Sequence, residues 1–360
     1  MGICEEMTMT SWDGLALDGK LDLPEAGRPR ALICFVNGSG PNTCDDHREG
    51  GGLCFDFYGL LADYFTQGGA AFFRTATRGV TPAAEPPFFC AVDEEAYRTY
   101  LPQNVVRDME DWLRLLSADP RLAGAPVWLL GWSEGTILAP LVARRGAVRV
   151  DGLLLAGYAN DGLWDILHWQ ETGGAAMLFY RRHFDADGDG RVSRAEFEGG
   201  PEAIRAWLRD QEGVGFDDLD ADGDGFIDKA DLAALEAEPY AQILAAIRRG
   251  DDGWLGEHYP VRLTSGWFLA HRELLPNSQV LPGLDLPIHI FQGVWDGSTP
   301  VEGACAIRER FGALGKTNLT VGIYDQEDHN LGVAEWAAGG GPARAVEDML
   351  RAVLAGSGLL

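Results

Sequence analysis

Six short apolar runs constrain this chain of 360 residues more than any other feature: ALICFV (31–36), AAFFRT (70–75), PVWLLG (126–131), GLLLAG (152–157), LPIHIFQG (286–293) and LTVGIY (319–324). A run that is apolar at successive positions offers no solvent face. As a strand it must be covered on both sides, which is the condition of a parallel sheet between helices. The stretches FDFYGLLADYFTQGG, NVVRDMEDWLRLLSADP, EGTILAPLVARRG, EGACAIRERFGAL and PARAVEDMLRAVLAG have the amphipathic pattern of crossover helices, and MTMTSWDGLALDGKLDLPE reads as an antiparallel start. The expected class is α/β, a mostly parallel doubly wound sheet interrupted once, between the fourth run and the fifth.

The interruption carries its own pattern. DADGDGRVSRAE (185–196) puts Asp185, Asp187 and Asp189 at loop positions 1, 3 and 5, Gly190 at 6, Arg191 at 7 with its carbonyl, Ser193 at 9 and Glu196 at 12. That is the twelve-residue EF-hand specification: alternate side chains of a tight loop converge on one centre, the glycine permits the turn, and position 12 closes the oxygen shell. DADGDGFIDKAD (220–231) repeats it 35 residues later with Asp220, Asp222, Asp224, Phe226 (carbonyl), Asp228 and Asp231. Val192 and Ile227, each at position 8, are expected to join the loops by a short β contact. Two calcium sites are therefore expected. Asp231 is one methylene shorter than Glu196, so the second loop is expected to be weaker or more tolerant of magnesium. No feature calls for an organic cofactor.

The formal charge is −26, and the two loops hold nine of the acidic groups, so bound cations would offset part of the excess. Nucleic acid and anionic membranes are unfavourable partners for such a surface. The first residues lack a basic segment followed by an apolar one, and no run of about 18 apolar residues occurs, which predicts a cytoplasmic protein. Six cysteines in 360 residues are too sparse for a small-domain disulfide framework; Cys44 and Cys54 share a loop and could pair under oxidation, but free thiols in a reducing compartment are the expectation.

GWSEG (131–135) ends the third run and opens a helix. A nucleophile elbow needs this strand-turn-helix setting, with Gly131 and Gly135 relieving the crowding around Ser133. None of the other eight serines has Gly at both −2 and +2. A nucleophilic serine needs a base and an orienting acid. Asp296 follows the fifth run in GVWDGSTP and His329 follows the sixth in YDQEDHNLG, both at strand C-terminal ends where open α/β sheets bind ligands. His289 lies inside a run, His168 and His183 lie in the interrupting segment, and His47, His258 and His271 follow no strand end.

With FVNGSGP (35–41), FFRTATRG (72–79), GWSEG, GVWDGSTP and DHN, the chain resembles the serine α/β-hydrolases, in particular carboxylesterases of the dienelactone-hydrolase-like and prolyl-oligopeptidase-like branches, over residues 8–160 and 263–355. Asn37 stands where His is usual, and Ala76 where Asp is frequent. The resemblance implies an α/β-hydrolase fold, an oxyanion hole made by the backbone N–H groups of Ser39 and Glu134, and hydrolysis of a small-molecule carboxylic ester. Peptidase and thioesterase activity would use the same groups. An inactive calcium-binding interaction protein on a hydrolase scaffold is the reading from a different class.

From Ser133 to Asp296 is 163 residues, more than a bare core of this kind needs. The resulting division is a first core part (1–159), a helical cap holding the EF-hand pair (160–262) and a second core part (263–360). Trp164, Trp169, Trp207 and Trp254 are candidates to line an apolar site under that cap, and core of the cap itself is at least as good a place for them.

Overall fold

The computed structural model describes residues 2–50, 52–86 and 89–356. Among these, the strands in chain order are β1 (Ile3–Thr10), β2 (Ala16–Leu23), β3 (Leu32–Val36), β4 (His47–Gly50), β5 (Leu53–Asp56), β6 (Ala71–Thr75), β7 (Val80–Pro82), β8 (Cys90–Val92), β9 (Val127–Trp132), β10 (Gly152–Ala156), β11 (Val192–Ser193), β12 (Phe226–Ile227), β13 (Ile288–Gly293) and β14 (Leu319–Tyr324). Eight of them form one sheet in the order β1-β2-β6-β3-β9-β10-β13-β14. The pairings from β6 to β14 are parallel, and β1 and β2 add an antiparallel edge. All six apolar runs became parallel strands. Every residue of β3 and β10 is buried, as strands without a polar face require.

Helices cover both faces. On one side, residues 102–117 present Val106, Met109, Trp112, Leu113 and Leu116 at helical spacing, beside the helices at 135–145 and 301–313. On the other, the helices at 57–67 and 344–356 bury Leu61, Phe65, Met349 and Val353. Each large apolar side chain so buried contributes about 1.5–3 kcal/mol. Arg78, from the FFRTATRG stretch, is 2% exposed and grips Asp108 with Nε at 2.5 Å and a second nitrogen at 2.7 Å, fixing the helix at 102–117 to the loop after β6. A buried, doubly hydrogen-bonded pair of this kind is strongly destabilising to break.

Between β10 and β13 the chain leaves the large sheet and is mostly helical. The helical segment that leads into the first loop is broken: Thr172 has φ −119° and ψ 39°, and Gly173 has φ 79°. A Cβ on Gly173 would lie 2.7 Å from the Lys229 carbonyl oxygen, so the break seats this strand of chain against the helix at 229–249. The two loops meet through β11 and β12, where Val192 pairs with Ile227. Phe184, Val192, Phe197, Phe216, Leu219 and Ile227 form the core between them. A separate cluster joins Tyr97 and Tyr100 to Ile247, Trp267 and Phe268.

Two hairpins, β4–β5 and β7–β8, were not apparent in the sequence pattern. Cys44 is buried and Cys54 exposed, and both are free thiols. No helix among the described residues is long and apolar enough to cross a membrane.

Candidate functional site

Ser133 follows β9 with φ 55°, a left-handed backbone that a serine adopts only when its surroundings hold it there. The flanking glycines explain how the turn closes. A Cβ on Gly131 would stand 2.2 Å from the Gly135 carbonyl oxygen, and one on Gly135 would stand 2.0 Å from that of Val36. No residue with a Cβ fits either position. The Ser133 N–H donates to the Ala156 carbonyl at 2.9 Å, tying the turn to the end of β10.

Asp296 and His329 meet across the ends of β13 and β14. Both Asp296 oxygens lie 2.9 Å from His329 Nδ1, so Nδ1–H donates and Nε2 is left for other work. Asp296 is fully buried and accepts further bonds from Ser298 N–H (2.8 Å), Thr299 N–H (2.8 Å), Thr299 Oγ1 (2.8 Å) and Gln292 Nε2 (2.9 Å). Burial pushes its carboxyl up, but the facing His329 and these hydrogen bonds outweigh it and hold the group below its ordinary value. For His329, burial lowers the imidazole and Asp296 raises it, with a net rise. The backbone of His329 is bound to the residue preceding the serine, its carbonyl accepting from Trp132 Nε1 at 3.1 Å. Its ring lies over Gly157, where a Cβ would come 2.8 Å from Nδ1. Asp296 and His329 are therefore in contact beyond the C-terminal ends of β13 and β14, and Ser133 follows β9, two strands away from β13, with Trp132 and Gly157 both beside the histidine.

A cavity of about 500 Å³ opens on Ser133. Ser39, Ser133 and Glu134 line one side of it, and Glu171, Ala176 and Glu236 come from the helical region opposite. The four tryptophans that were candidates for its lining are not part of it. Trp207 is 47% exposed, Trp254 stacks on His258, Trp164 donates to the Phe268 carbonyl, and Trp169 packs on Gly174. Trp164 therefore packs on the helix at 265–271, and the other three lie within their own region or at its surface. The tryptophan at the cavity is Trp267.

Trp267 belongs to a group of residues that sequence reasoning missed. The Glu134 carboxylate is buried and accepts from Tyr100 Oη, Trp267 Nε1 (2.9 Å) and His271 Nε2 (2.8 Å). Gln292 likewise supports Asp296 from inside β13 while its Oε1 accepts the Tyr158 N–H at 2.6 Å. The available signal was a carboxylate beside the candidate nucleophile, which needs partners if buried.

Both EF-hand loops curl as their residues dictate, with Gly190 at φ 90° and Gly225 at φ 93°. Oxygens of Asp185, Asp187 and Glu196 lie within 4.8 Å of one another, as do those of Asp220, Asp222 and Asp231. Asp220 Oδ1 is buried with no hydrogen-bond partner, an atom that a cation would satisfy. The donor set is all oxygen, which suits a hard divalent ion. Asp231 occupies the place of Glu196 despite its shorter chain: it accepts from Ala221 N–H (3.0 Å), Asp222 N–H (3.2 Å) and Asp228 N–H (2.9 Å). Glu196 accepts from Ala186 (3.0 Å), Asp187 (3.3 Å) and Ser193 (2.8 Å).

Taken in chain order, the strands of the large sheet are arranged 1-2-4-3-5-6-7-8, and this chain has the α/β-hydrolase fold with an EF-hand pair between its sixth and seventh strands. A family model described as EF hand matches residues 182–199 and 214–235. Similar solved structures include an open-form lipase (16% identity over 99% of both chains, TM-score 0.55). A highly thermostable carboxyl esterase from Bacillus coagulans is similar at 14% identity over 98% of this chain and 99% of that one, TM-score 0.55. So is a soluble variant of monoglyceride lipase from Saccharomyces cerevisiae, at 13% identity over 99% and 96%, TM-score 0.51. No curated protein matches the chain in sequence.

Proposed function

We propose that this protein is a serine hydrolase that cleaves a small-molecule carboxylic ester through an acyl-enzyme on Ser133. The observation that carries the reading is the strained Ser133 turn opening on a cavity, with the Asp296–His329 pair beside it. In the first step His329 Nε2 takes the Ser133 hydroxyl proton as Oγ attacks the ester carbonyl, and Asp296 stabilises the imidazolium that forms. Negative charge moves onto the carbonyl oxygen, where the N–H groups of Ser39 and Glu134 would receive it. Collapse expels the alcohol, which takes the proton from His329. Water then repeats the sequence on the acyl-enzyme and releases the acid.

Residues 160–262 act as a cap, and the EF-hand pair within it binds calcium. Asp185, Asp187, Asp189, Ser193 and Glu196, with the Arg191 carbonyl, would hold one ion. Asp220, Asp222, Asp224, Asp228 and Asp231, with the Phe226 carbonyl, would hold the other. Calcium supplies charge that joins these carboxylates, and no step of ester cleavage uses it. The helices that flank the loops also line the cavity through Ala176 and Glu236, so ordering the loops orders that wall. Structures of this fold are named lipase, carboxyl esterase and acylaminoacyl peptidase alike, so ester and peptide substrates are separated by experiment. The test is labelling by a fluorophosphonate, followed by a panel of p-nitrophenyl esters, thioesters and peptide anilides. Absence of serine labelling in calcium-loaded protein rejects the reading and favours a calcium-binding protein without catalysis.

A further inference from the structure

We propose that His47, Glu49 and Cys54 form a third metal site, chemically distinct from the EF-hand loops, that takes a zinc-class divalent ion on the hairpin β4–β5. Alternation along a strand puts His47 and Glu49 on the same face, and the register pairs His47 with Asp56 and Glu49 with Cys54. The four side chains converge there by strand geometry.

Their distances match a coordination shell. His47 Nε2 is 3.3 Å from Glu49 Oε1 and 3.7 Å from Cys54 Sγ, and Cys54 Sγ is 3.8 Å from Glu49 Oε1. A tetrahedral zinc ion with ordinary Zn–N, Zn–S and Zn–O bonds separates its ligands by about 3.3 Å (N to O), about 3.6 Å (N to S) and about 3.5 Å (S to O). The triangle is already that size.

The surrounding groups point the same way. Asp56 Oδ1 accepts from His47 Nδ1 at 2.6 Å, which fixes the ring and leaves Nε2 as the ligand atom, the arrangement by which carboxylates orient metal-binding histidines. Phe89 meets the His47 ring edge-on at 4.7 Å between centroids. The adjacent cation, Arg48, faces away: it bonds Asp46 and Asn330 Oδ1 and lies over the Phe57 ring. A thiolate and an imidazole select zinc, cobalt or nickel over calcium and magnesium, so the EF-hand loops would not compete for the same ion. Binding replaces the Cys54 thiol proton by the metal and releases it to solvent. Three protein ligands on an exposed ribbon leave the fourth position to water. The tied ribbon carries Arg48, whose guanidinium braces Asn330 at 3.0 Å, the residue next to His329. This inference does not rest on the proposed esterase activity.

The experiment is cobalt titration of the full-length protein in excess calcium, read by absorbance. The expected result is one equivalent of cobalt giving near-ultraviolet thiolate-to-cobalt charge transfer and tetrahedral visible bands, displaced by zinc. Both should vanish in Cys54→Ser and in His47→Ala, and Asp56→Asn should weaken the affinity about 10–100-fold. Absence of the thiolate band, or its persistence in Cys54→Ser, overturns the proposal.

Discussion

Glu134 and His271 form a buried pair, with the carboxylate accepting from His271 Nε2 at 2.8 Å and each side chain 1% exposed. Glu134 follows the proposed nucleophile and is a proposed oxyanion donor, so its side chain fixes the backbone N–H that matters. The anchor, on the helix at 265–271, comes from the segment that returns to the sheet after the EF-hands. His271→Ala should leave a buried acceptor short of a donor, at a cost of about 1–3 kcal/mol. We expect a lower melting temperature and a fall in kcat with little change in KM, with His271→Gln restoring part of both. An unchanged kcat in His271→Ala would reject the positioning role.

Ser133→Ala should reduce ester hydrolysis roughly 10³-fold or more while the circular dichroism spectrum stays native, because the residual site can bind but cannot form the acyl-enzyme. His329→Ala should be comparably impaired. Activity within a few-fold of the parent in Ser133→Ala would exclude the mechanism.

The pH dependence follows from the base. Burial lowers the His329 imidazole, Asp296 and Asp328 raise it, Arg48 lowers it, and the net shift is upward. Only the neutral ring accepts the serine proton, so kcat/KM should rise with pH through that raised value and level off above it. Asp296→Asn removes the main raising influence and leaves the burial effect. Its limb should therefore move to lower pH, on a plateau reduced by orders of magnitude. A limb that stays in place would mean that another group titrates.

Chelation should loosen residues 160–262 before the core, since clustered carboxylates repel when no cation joins them. Limited proteolysis with and without chelator reports this, and equal resistance would count against it. Glu196→Gln should weaken calcium binding, measured by calorimetry. Asp231→Glu should strengthen the second site, because the longer side chain can reach the ion with both oxygens. No gain in Asp231→Glu would mean that the loop has fully absorbed the missing methylene.

Glu171 and Glu236 both line the cavity, and burial, reinforced by Glu236, pushes the Glu171 carboxyl up. Esters whose acyl chain carries a carboxylate should be poor substrates, and cationic or neutral ones better. Glu236→Gln should improve the anionic-to-neutral ratio of kcat/KM several-fold, corresponding to about 1 kcal/mol. An unchanged ratio would remove the carboxylates from the account of selectivity.

Much of this protein is local in origin. A run such as LICFV has no polar face, so as a strand it has to be covered on both sides, and the alternating carboxylates and glycine of DADGDG favour a tight loop. The Ser133 turn is legible for the same reason, since a glycine at each −2 and +2 position removes the two Cβ atoms that would forbid it. Asp296 and His329 were legible because strand ends fix which loops share an edge of the sheet. What the sequence could not show depends on partners far along the chain. The three donors that satisfy Glu134 come from residues 100, 267 and 271, and a hydrogen bond between distant segments leaves no periodic trace in either. The hairpin that gathers His47, Glu49, Cys54 and Asp56 is short and polar, and strand pairing alone made it a cluster. Whether the four tryptophans line the cavity or pack elsewhere was open in the sequence for the same reason: burial is decided by which helix lies opposite, and composition does not say which.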